Sequence, residues 1–112
     1  MSRRRADGAL KAGPVFAALG DATRLRIVAR LSADGPSSIA RLTGDSGVTR
    51  QAVSKHLQVL AAAGLVRVGR HGRESSWELE PRKLAEARHS LELISKGWDE
   101  ALGRLRRFVE KS

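Results

Sequence analysis

The carboxyl-terminal third of the chain repeats apolar residues at heptad spacing over four consecutive heptads. One position of the repeat holds Leu84, Leu91, Trp98 and Leu105, and the other holds Ala87, Ile94, Ala101 and Phe108. A repeat of this length predicts one long helix over 81–110, with Pro81 in its first turn and an apolar stripe along one side.

Two partners are open to this stripe, namely the protomer's own core and a second copy of the chain. The whole chain has only 112 residues. The core that such a chain can build is too small to cover four heptads that include Trp98 and Phe108. We therefore expect the helix over 81–110 to mediate a homodimer.

Turn and cap residues divide the first part of the chain into short helices. Pro14 suits the first turn of a helix that Gly20 ends, and Asp21 suits the N-cap of a second helix that stops at Gly35. The apolar stripe expected for the second helix consists of Leu25, Val28, Ala29 and Ser32, widened by Ile27 and Leu31.

Two more helices follow, separated by a tight turn. The glycine- and serine-containing stretch 43–47 predicts the turn. Thr49 suits the N-cap of the fourth helix, which Gly64 ends. The expected inward residues of that helix recur at intervals of four and three and are Val53, Leu57 and Leu60. A short helix, a tight turn and a longer helix make a helix-turn-helix.

The periodicity then changes to that of strands. Residues 65–68 and 75–79 alternate in character, and the stretch 69–73 between them contains two glycines, which predicts a β-hairpin. The predicted fold class is therefore mainly α with a β-hairpin wing, a winged helix-turn-helix of five helices. We assign residues 13–112 to this domain and residues 1–12 to a flexible basic tail.

The outward face of the fourth helix carries polar groups that suit nucleic acid. These are Arg50, Gln51, Ser54, Lys55 and Gln58. No acidic residue occurs from Ser46 to Arg73, and the net charge of the chain is +9. A long window of one charge sign is typical of a phosphate-binding surface, and amide and guanidinium groups pair with base edges in the major groove.

The tip of the hairpin extends the same basic surface. It carries Arg70, His71 and Arg73. These residues are placed to lie along the DNA backbone or to enter the minor groove.

Several other kinds of site find no support in the composition. There is no cysteine, which excludes disulfides, thiolate metal sites and cysteine nucleophiles. The histidines His56, His71 and His89 lack ligand spacing, so we expect no metal site, and we expect His56 to be half-buried and hydrogen-bonded. No phosphate-binding glycine motif or nucleophile elbow is present. We therefore predict neither an enzyme nor a bound cofactor.

The chain also shows no membrane or export segment. Its first residues lack the apolar run of a secretory signal, and no apolar stretch approaches the roughly 20 residues that span a bilayer. We expect a cytoplasmic protein that associates with the nucleoid and not with a membrane.

Three segments of the chain resemble ArsR-type winged-helix transcriptional repressors. Residues 19–27 resemble the opening signature of that family. Residues 50–60, followed by 63–66, resemble its recognition helix and the exit into the wing. Residues 69–79 resemble the wing itself, so the likeness covers roughly residues 14–80.

The resemblance implies a dimer that binds operator DNA and releases it on a signal. It implies dimerisation through the first and last helices, which adds Phe16 to the interface. It implies that one set of residues lies at the major groove, namely Thr49, Arg50, Gln51, Ser54 and Lys55. The chain departs from metal-sensing members because it has no cysteine and a single histidine, His89, in its last helix, so it resembles the cysteine-free branch.

The predicted function is that of a sequence-specific repressor that binds double-stranded DNA as a homodimer on a palindromic operator. One alternative is a protein-interaction module whose helix-turn-helix does not read sequence. The other is a sensor that responds to a metal or a small molecule.

Overall fold

The computed structural model describes residues 12–44, 46–71 and 74–111. Within these ranges the chain forms five helices and one antiparallel sheet of two strands. The helices are α1 Gly13–Leu19, α2 Ala22–Asp34, α3 Ile39–Gly44, α4 Arg50–Ala62 and α5 Pro81–Lys111, and the strands are β1 Val66–His71 and β2 Glu74–Leu79. The predicted fold class is confirmed. The tail predicted over 1–12 lies outside the described residues except for Ala12, which is buried.

Polar side chains close the first turns of three helices. Asp21 Oδ2 accepts a hydrogen bond from the Arg24 backbone N–H at 3.0 Å, and Thr49 Oγ1 accepts from Ala52 N–H at 3.1 Å, as predicted. Ser38 Oγ accepts from Arg41 N–H at 3.2 Å at the start of α3. Each bond satisfies a backbone donor that has no partner within its helix.

The core lies around α4, which packs against α1, α2, α3 and β1. Val53, Leu57 and Leu60 are fully buried, which confirms the predicted inward face of this helix. Leu65 at the entry to the wing is also fully buried. Full burial of an aliphatic side chain stabilises the fold by about 1.5–3 kcal/mol. The buried row of Val53, Leu57 and Leu60 therefore determines which side of α4 faces outward.

The predicted apolar stripe of α2 is wrong in part. The buried residues of this helix are Ile27, Val28 and Leu31, whereas Leu25, Ala29 and Ser32 are exposed. The true stripe runs through positions 24, 27, 28 and 31, with the spacing of one helix face. The prediction missed it because the first of these positions holds a charged residue, Arg24.

The turn of the helix-turn-helix begins later than predicted. Thr43 and Gly44 belong to α3, where Thr43 Oγ1 donates to the Ile39 carbonyl at 2.7 Å. After the helix, Ser46 Oγ donates to the Thr43 carbonyl at 2.9 Å, and Gly47 has φ +71°. That left-handed backbone favours glycine and turns the chain towards α4.

The hairpin turn is shorter than predicted because Gly69, Arg70 and His71 belong to β1. The strands pair from Val66 opposite Leu79 to His71 opposite Glu74. Gly69 does not mark the turn. A Cβ at this position would lie 2.9 Å from Glu78 Oε1. Glycine at position 69 of β1 therefore leaves room for the Glu78 side chain, which reaches over from β2.

Helix α5 has 31 residues, which corresponds to about 47 Å at 1.5 Å per residue. Its first part packs on the protomer, where Ala87 and Ser90 are buried. Beyond Ser90 its apolar side chains are largely exposed. None of the helices in the described ranges combines the length and apolarity that crossing a bilayer requires.

Candidate nucleic-acid interface

The outward face of α4 carries the side chains predicted to contact DNA. Arg50, Gln51, Lys55 and Gln58 are exposed, and Ser54 is half-buried. These five residues and Ile39 of α3 line one open depression between the two helices. The structure therefore brings the predicted set together on one face, opposite the buried row of α4.

The amino-terminal end of α4 adds to the positive potential of this face. Thr49 is exposed and its hydroxyl caps the helix. Arg50 begins the helix, and no acidic residue lies in the first turn. The helix dipole places partial positive charge at this end, so the dipole and the Arg50 side chain act in the same direction on a phosphate.

The wing is joined to the helix-turn-helix by backbone hydrogen bonds. Ser37, just before α3, forms an isolated antiparallel bridge with Trp77 of β2. At the base of the hairpin, Glu80 N–H donates to the Leu65 carbonyl at 2.8 Å. Arg70 and His71 lie at the far end of β1, and Arg73 lies outside the described residues.

Arg67 on the wing is paired with acidic groups. Its Nε donates to Glu78 Oε1 at 3.0 Å, and its Nη1 donates to a carboxylate oxygen of Glu80. The hydrogen bond with Glu78, then the charges of Glu80 and Glu78, raise the pKa of the Arg67 guanidinium. The window without acids in the sequence is therefore not free of acids in space, and two carboxylates compensate the charge of Arg67.

His56 lies on the flank of α4, away from the predicted DNA face. Its Nδ1 is 3.4 Å from Arg24 Nη1 and 3.9 Å from Asp21 Oδ2, and its side chain is 24% exposed. This confirms the predicted half-buried, hydrogen-bonded histidine. Across the described residues, no group of three or more His, Cys, Asp or Glu side chains is arranged to hold a metal ion.

Asp21 lies beside His56 and Arg24. The hydrogen bond from the Arg24 backbone lowers the pKa of the Asp21 carboxyl below its ordinary value, and the charge of the Arg24 guanidinium acts in the same direction. Desolvation opposes this shift but does not outweigh it.

The residues predicted for a dimer interface divide into two groups. Ala87 is buried in the protomer's own core, and Leu84 and Phe16 pack against that core while staying partly buried. Ala101 is half-buried, and the remaining five are exposed, namely Leu91, Ile94, Trp98, Leu105 and Phe108. Their contact with a second copy stays a prediction.

Two large, exposed apolar residues of α5 were missed by heptad counting. Leu102 is 56% exposed and Val109 is 62% exposed. Each follows a predicted stripe residue, Trp98 or Leu105, by four positions, which is the spacing of neighbours on a helix face. Counting at a spacing of four as well as seven would have found them.

Comparisons with known proteins agree with this architecture. A family model described as a helix-turn-helix domain matches residues 19–69. The HTH-type transcriptional regulator Rv2034 of Mycobacterium tuberculosis is 42% identical over 85 residues, which cover 76% of each chain.

Solved structures show the same fold. An ArsR-like transcriptional regulator from Rhodococcus sp. RHA1 superposes with a TM-score of 0.76 at 34% identity, covering 88% of this chain and 92% of that one. The homodimeric winged helix-turn-helix DNA-binding domain Mb0332 of Mycobacterium bovis gives a TM-score of 0.62 at 24% identity, covering 86% and 88%. With these relatives and this site, the chain belongs to the ArsR-type family of winged helix-turn-helix transcriptional regulators.

Proposed function

We propose that this protein is a transcriptional repressor that binds a palindromic operator in double-stranded DNA as a homodimer. The observation that carries the proposal is the outward face of α4. It presents two cations and three neutral polar side chains on one side of a helix whose opposite side carries the fully buried Val53, Leu57 and Leu60. A helix of this kind fits the major groove, where such side chains reach base edges.

The α4 side chains divide into two roles. Arg50 and Gln51, in the first turn, are suited to paired hydrogen bonds with base edges, Arg with guanine and Gln with adenine. Lys55 is suited to phosphate, and Thr49, Ser54 and Gln58 complete the contact surface. The wing residues Arg70, His71 and Arg73 extend it along the backbone or into the minor groove.

The exposed apolar side of α5 supports the homodimer. Its large side chains Leu91, Trp98, Leu105 and Phe108 are between 54% and 73% exposed. Contiguous apolar exposure of this kind marks an interaction surface. The homodimeric state of the Mb0332 domain supports a second copy of this chain as the partner. The proposed interface comprises the predicted residues that keep exposed surface, namely Phe16, Leu84, Leu91, Ile94, Trp98, Ala101, Leu105 and Phe108.

A two-fold dimer sets the form of the operator. Two recognition helices in successive major grooves require half-site centres about 34 Å, or about 10 base pairs, apart. If each protomer neutralises three to five phosphates, the logarithm of affinity should fall against the logarithm of salt concentration with a slope of about −5 to −9. The resemblance to the family's repressors supports repression as the outcome of binding.

Selection of DNA fragments by the purified protein tests this proposal. We expect enriched sequences with two inverted half-sites at the stated spacing. Arg50→Ala and Gln51→Ala should each reduce the preference for the correct base by about 1–3 kcal/mol. Repression is read from a reporter driven by a promoter that contains the selected site.

Three results would contradict parts of the proposal. If Arg50→Ala and Gln51→Ala lost equal binding affinity on selected and on random DNA, base reading by these two residues would be refuted. A monomer in sedimentation at micromolar concentration would refute the dimer. No binding to any duplex at low salt would favour an interaction module that does not read sequence.

A further inference from the structure

Arg24 occupies an unusual position in α2. With Ile27, Val28 and Leu31 it forms the face of the helix that packs on the rest of the domain, and those three neighbours are buried. A guanidinium at such a position is unfavourable unless its donors have partners. The hydrogen-bond partners of Arg24 therefore indicate the role of a charged residue at this position.

The Arg24 side chain contacts two other helices. Its Nε donates to the Ala18 carbonyl in the last turn of α1 at 2.6 Å. Its Nη1 lies 3.4 Å from Nδ1 of His56, near the middle of α4. One guanidinium thus joins the end of α1, the start of α2 and the recognition helix.

The chemistry of the pair determines which nitrogen of the His56 ring carries the proton. A guanidinium has five donors and no acceptor, so Nδ1 must supply the lone pair and the ring proton must lie on Nε2. Asp21 Oδ2, at 3.9 Å from Nδ1, is too far for a direct hydrogen bond but adds negative charge beside both groups.

His56 itself is turned away from the proposed DNA face. Successive residues of an α-helix are about 100° apart. Ser54 and Gln58 each lie two positions from His56, so both point to roughly the opposite side of α4. A change at His56 therefore alters DNA binding through the placement of α4 and not through a lost DNA contact.

We propose that Arg24 and His56 act as positioning residues, whose hydrogen bond sets how α4 is rotated and seated for DNA binding. The inference rests on the proposed DNA-binding function. Because the same guanidinium holds the end of α1, the bond also links the placement of α4 to that helix.

Two substitutions at His56 separate positioning from bulk. His56→Asn keeps an acceptor close to the place of Nδ1, whereas His56→Leu keeps the volume and removes the acceptor. We expect His56→Asn to bind the selected operator within about twofold of the unsubstituted protein. We expect His56→Leu to bind it about three- to tenfold more weakly, which lies within the range typical of coupling through a packed network. The salt slope should stay unchanged because no phosphate contact is lost.

Two controls complete the design. Val59 lies about one helical turn after His56 in α4, and its side chain is exposed. Val59→Ala should therefore leave the affinity for the operator unchanged. The double variant Arg24→Gln/His56→Leu should bind no more weakly than Arg24→Gln alone, because both changes remove the same bond. Equal affinities for His56→Leu and the unsubstituted protein, or fully additive losses in the double variant, would overturn the proposal.

One further test uses the unsubstituted protein alone, so it does not depend on whether any variant folds. The ¹⁵N chemical shifts of His56 at neutral pH should report a bare Nδ1 and a protonated Nε2. A proton on Nδ1 would overturn the proposal even where DNA binding is intact. If the protein binds no DNA while the shifts are as expected, the DNA-binding function fails and the hydrogen bond stands.

Discussion

Ser37 and Trp77 exchange both of their backbone hydrogen bonds, with Ser37 N–H donating to the Trp77 carbonyl at 3.0 Å and Trp77 N–H donating to the Ser37 carbonyl at 2.8 Å. Ser37 is buried two residues before the start of α3, and Trp77 lies in the middle of β2. The bridge therefore adds a third backbone segment to the edge of the two-stranded wing. An isolated hairpin is marginally stable in water, so this connection is what should keep the wing fixed relative to α3 and α4.

Hydrogen exchange tests this role of the bridge. We expect the amide protons of Ser37 and Trp77 to be protected to nearly the same degree as those of the buried part of α4, because they should open only with the domain. Native-state exchange followed by NMR gives the opening free energy of each amide. If the Trp77 amide exchanged much faster than the Leu57 amide, the wing would open independently of the rest of the domain.

The depressed pKa of Asp21 predicts a pH dependence of stability. A carboxyl whose pKa is lower in the folded state stabilises the fold above its unfolded-state value, here the ordinary 3.8, and this contribution is lost as the pH falls through the folded-state value. Asp21→Asn keeps a capping oxygen but does not titrate. The excess melting temperature of the unsubstituted protein over Asp21→Asn should therefore shrink between pH 7 and pH 3, measured by circular dichroism. A difference that is constant with pH would contradict this.

Lys55 and Arg67 provide a matched pair of cations for the salt dependence of DNA binding. Lys55 is exposed on α4, whereas Arg67 is paired with Glu78 and Glu80. Lys55→Ala should reduce the magnitude of the salt slope by about 0.9 for each protomer, the value for one lost phosphate contact. Arg67→Ala should leave the slope nearly unchanged. Binding titrations at several salt concentrations measure both, and a larger effect of Arg67→Ala would show that its acidic partners release it on DNA.

Leu57 and Leu105 separate the stability of the protomer from that of the dimer. Leu57 is fully buried in α4, and Leu105 is 59% exposed on α5. Leu57→Ala should lower the free energy of unfolding by about 2–5 kcal/mol through lost burial and the cavity that remains. Leu105→Ala should instead raise the dimer dissociation constant, measured by sedimentation of diluted samples. An unchanged dissociation constant would remove Leu105 from the proposed interface.

Much of the fold follows from signals that act over a few residues. Asp21 and Thr49 are good N-caps wherever a helix follows them, and the spacing of Val53, Leu57 and Leu60 defines an inward face without any knowledge of the partner. The outward face of α4 is then determined as its opposite. For this reason the structure brings together on one face the α4 residues that the pattern selected.

Other features depend on contacts between segments that are distant in sequence. The stripe of α2 was misplaced because a pattern of apolar residues treats Arg24 as outward, whereas its partners Ala18 and His56 come from other helices. The pairing of Arg67 depends on strand register, which places Glu78 directly opposite it. The division of the α5 stripe at Ser90 depends on where the rest of the domain ends, which no local pattern records.

The lack of a side chain at Gly69 has an electrostatic consequence for the wing. Glu78 Oε1 lies only 2.9 Å from where a Cβ of residue 69 would be, and from there it accepts a hydrogen bond from the Arg67 guanidinium. Any larger residue at this position would push the flexible end of Glu78 aside and leave Arg67 less compensated. A substitution between two uncharged amino acids would thus make this face of the hairpin more cationic, so in this protein the charge that the wing presents is controlled in part by a residue that carries none.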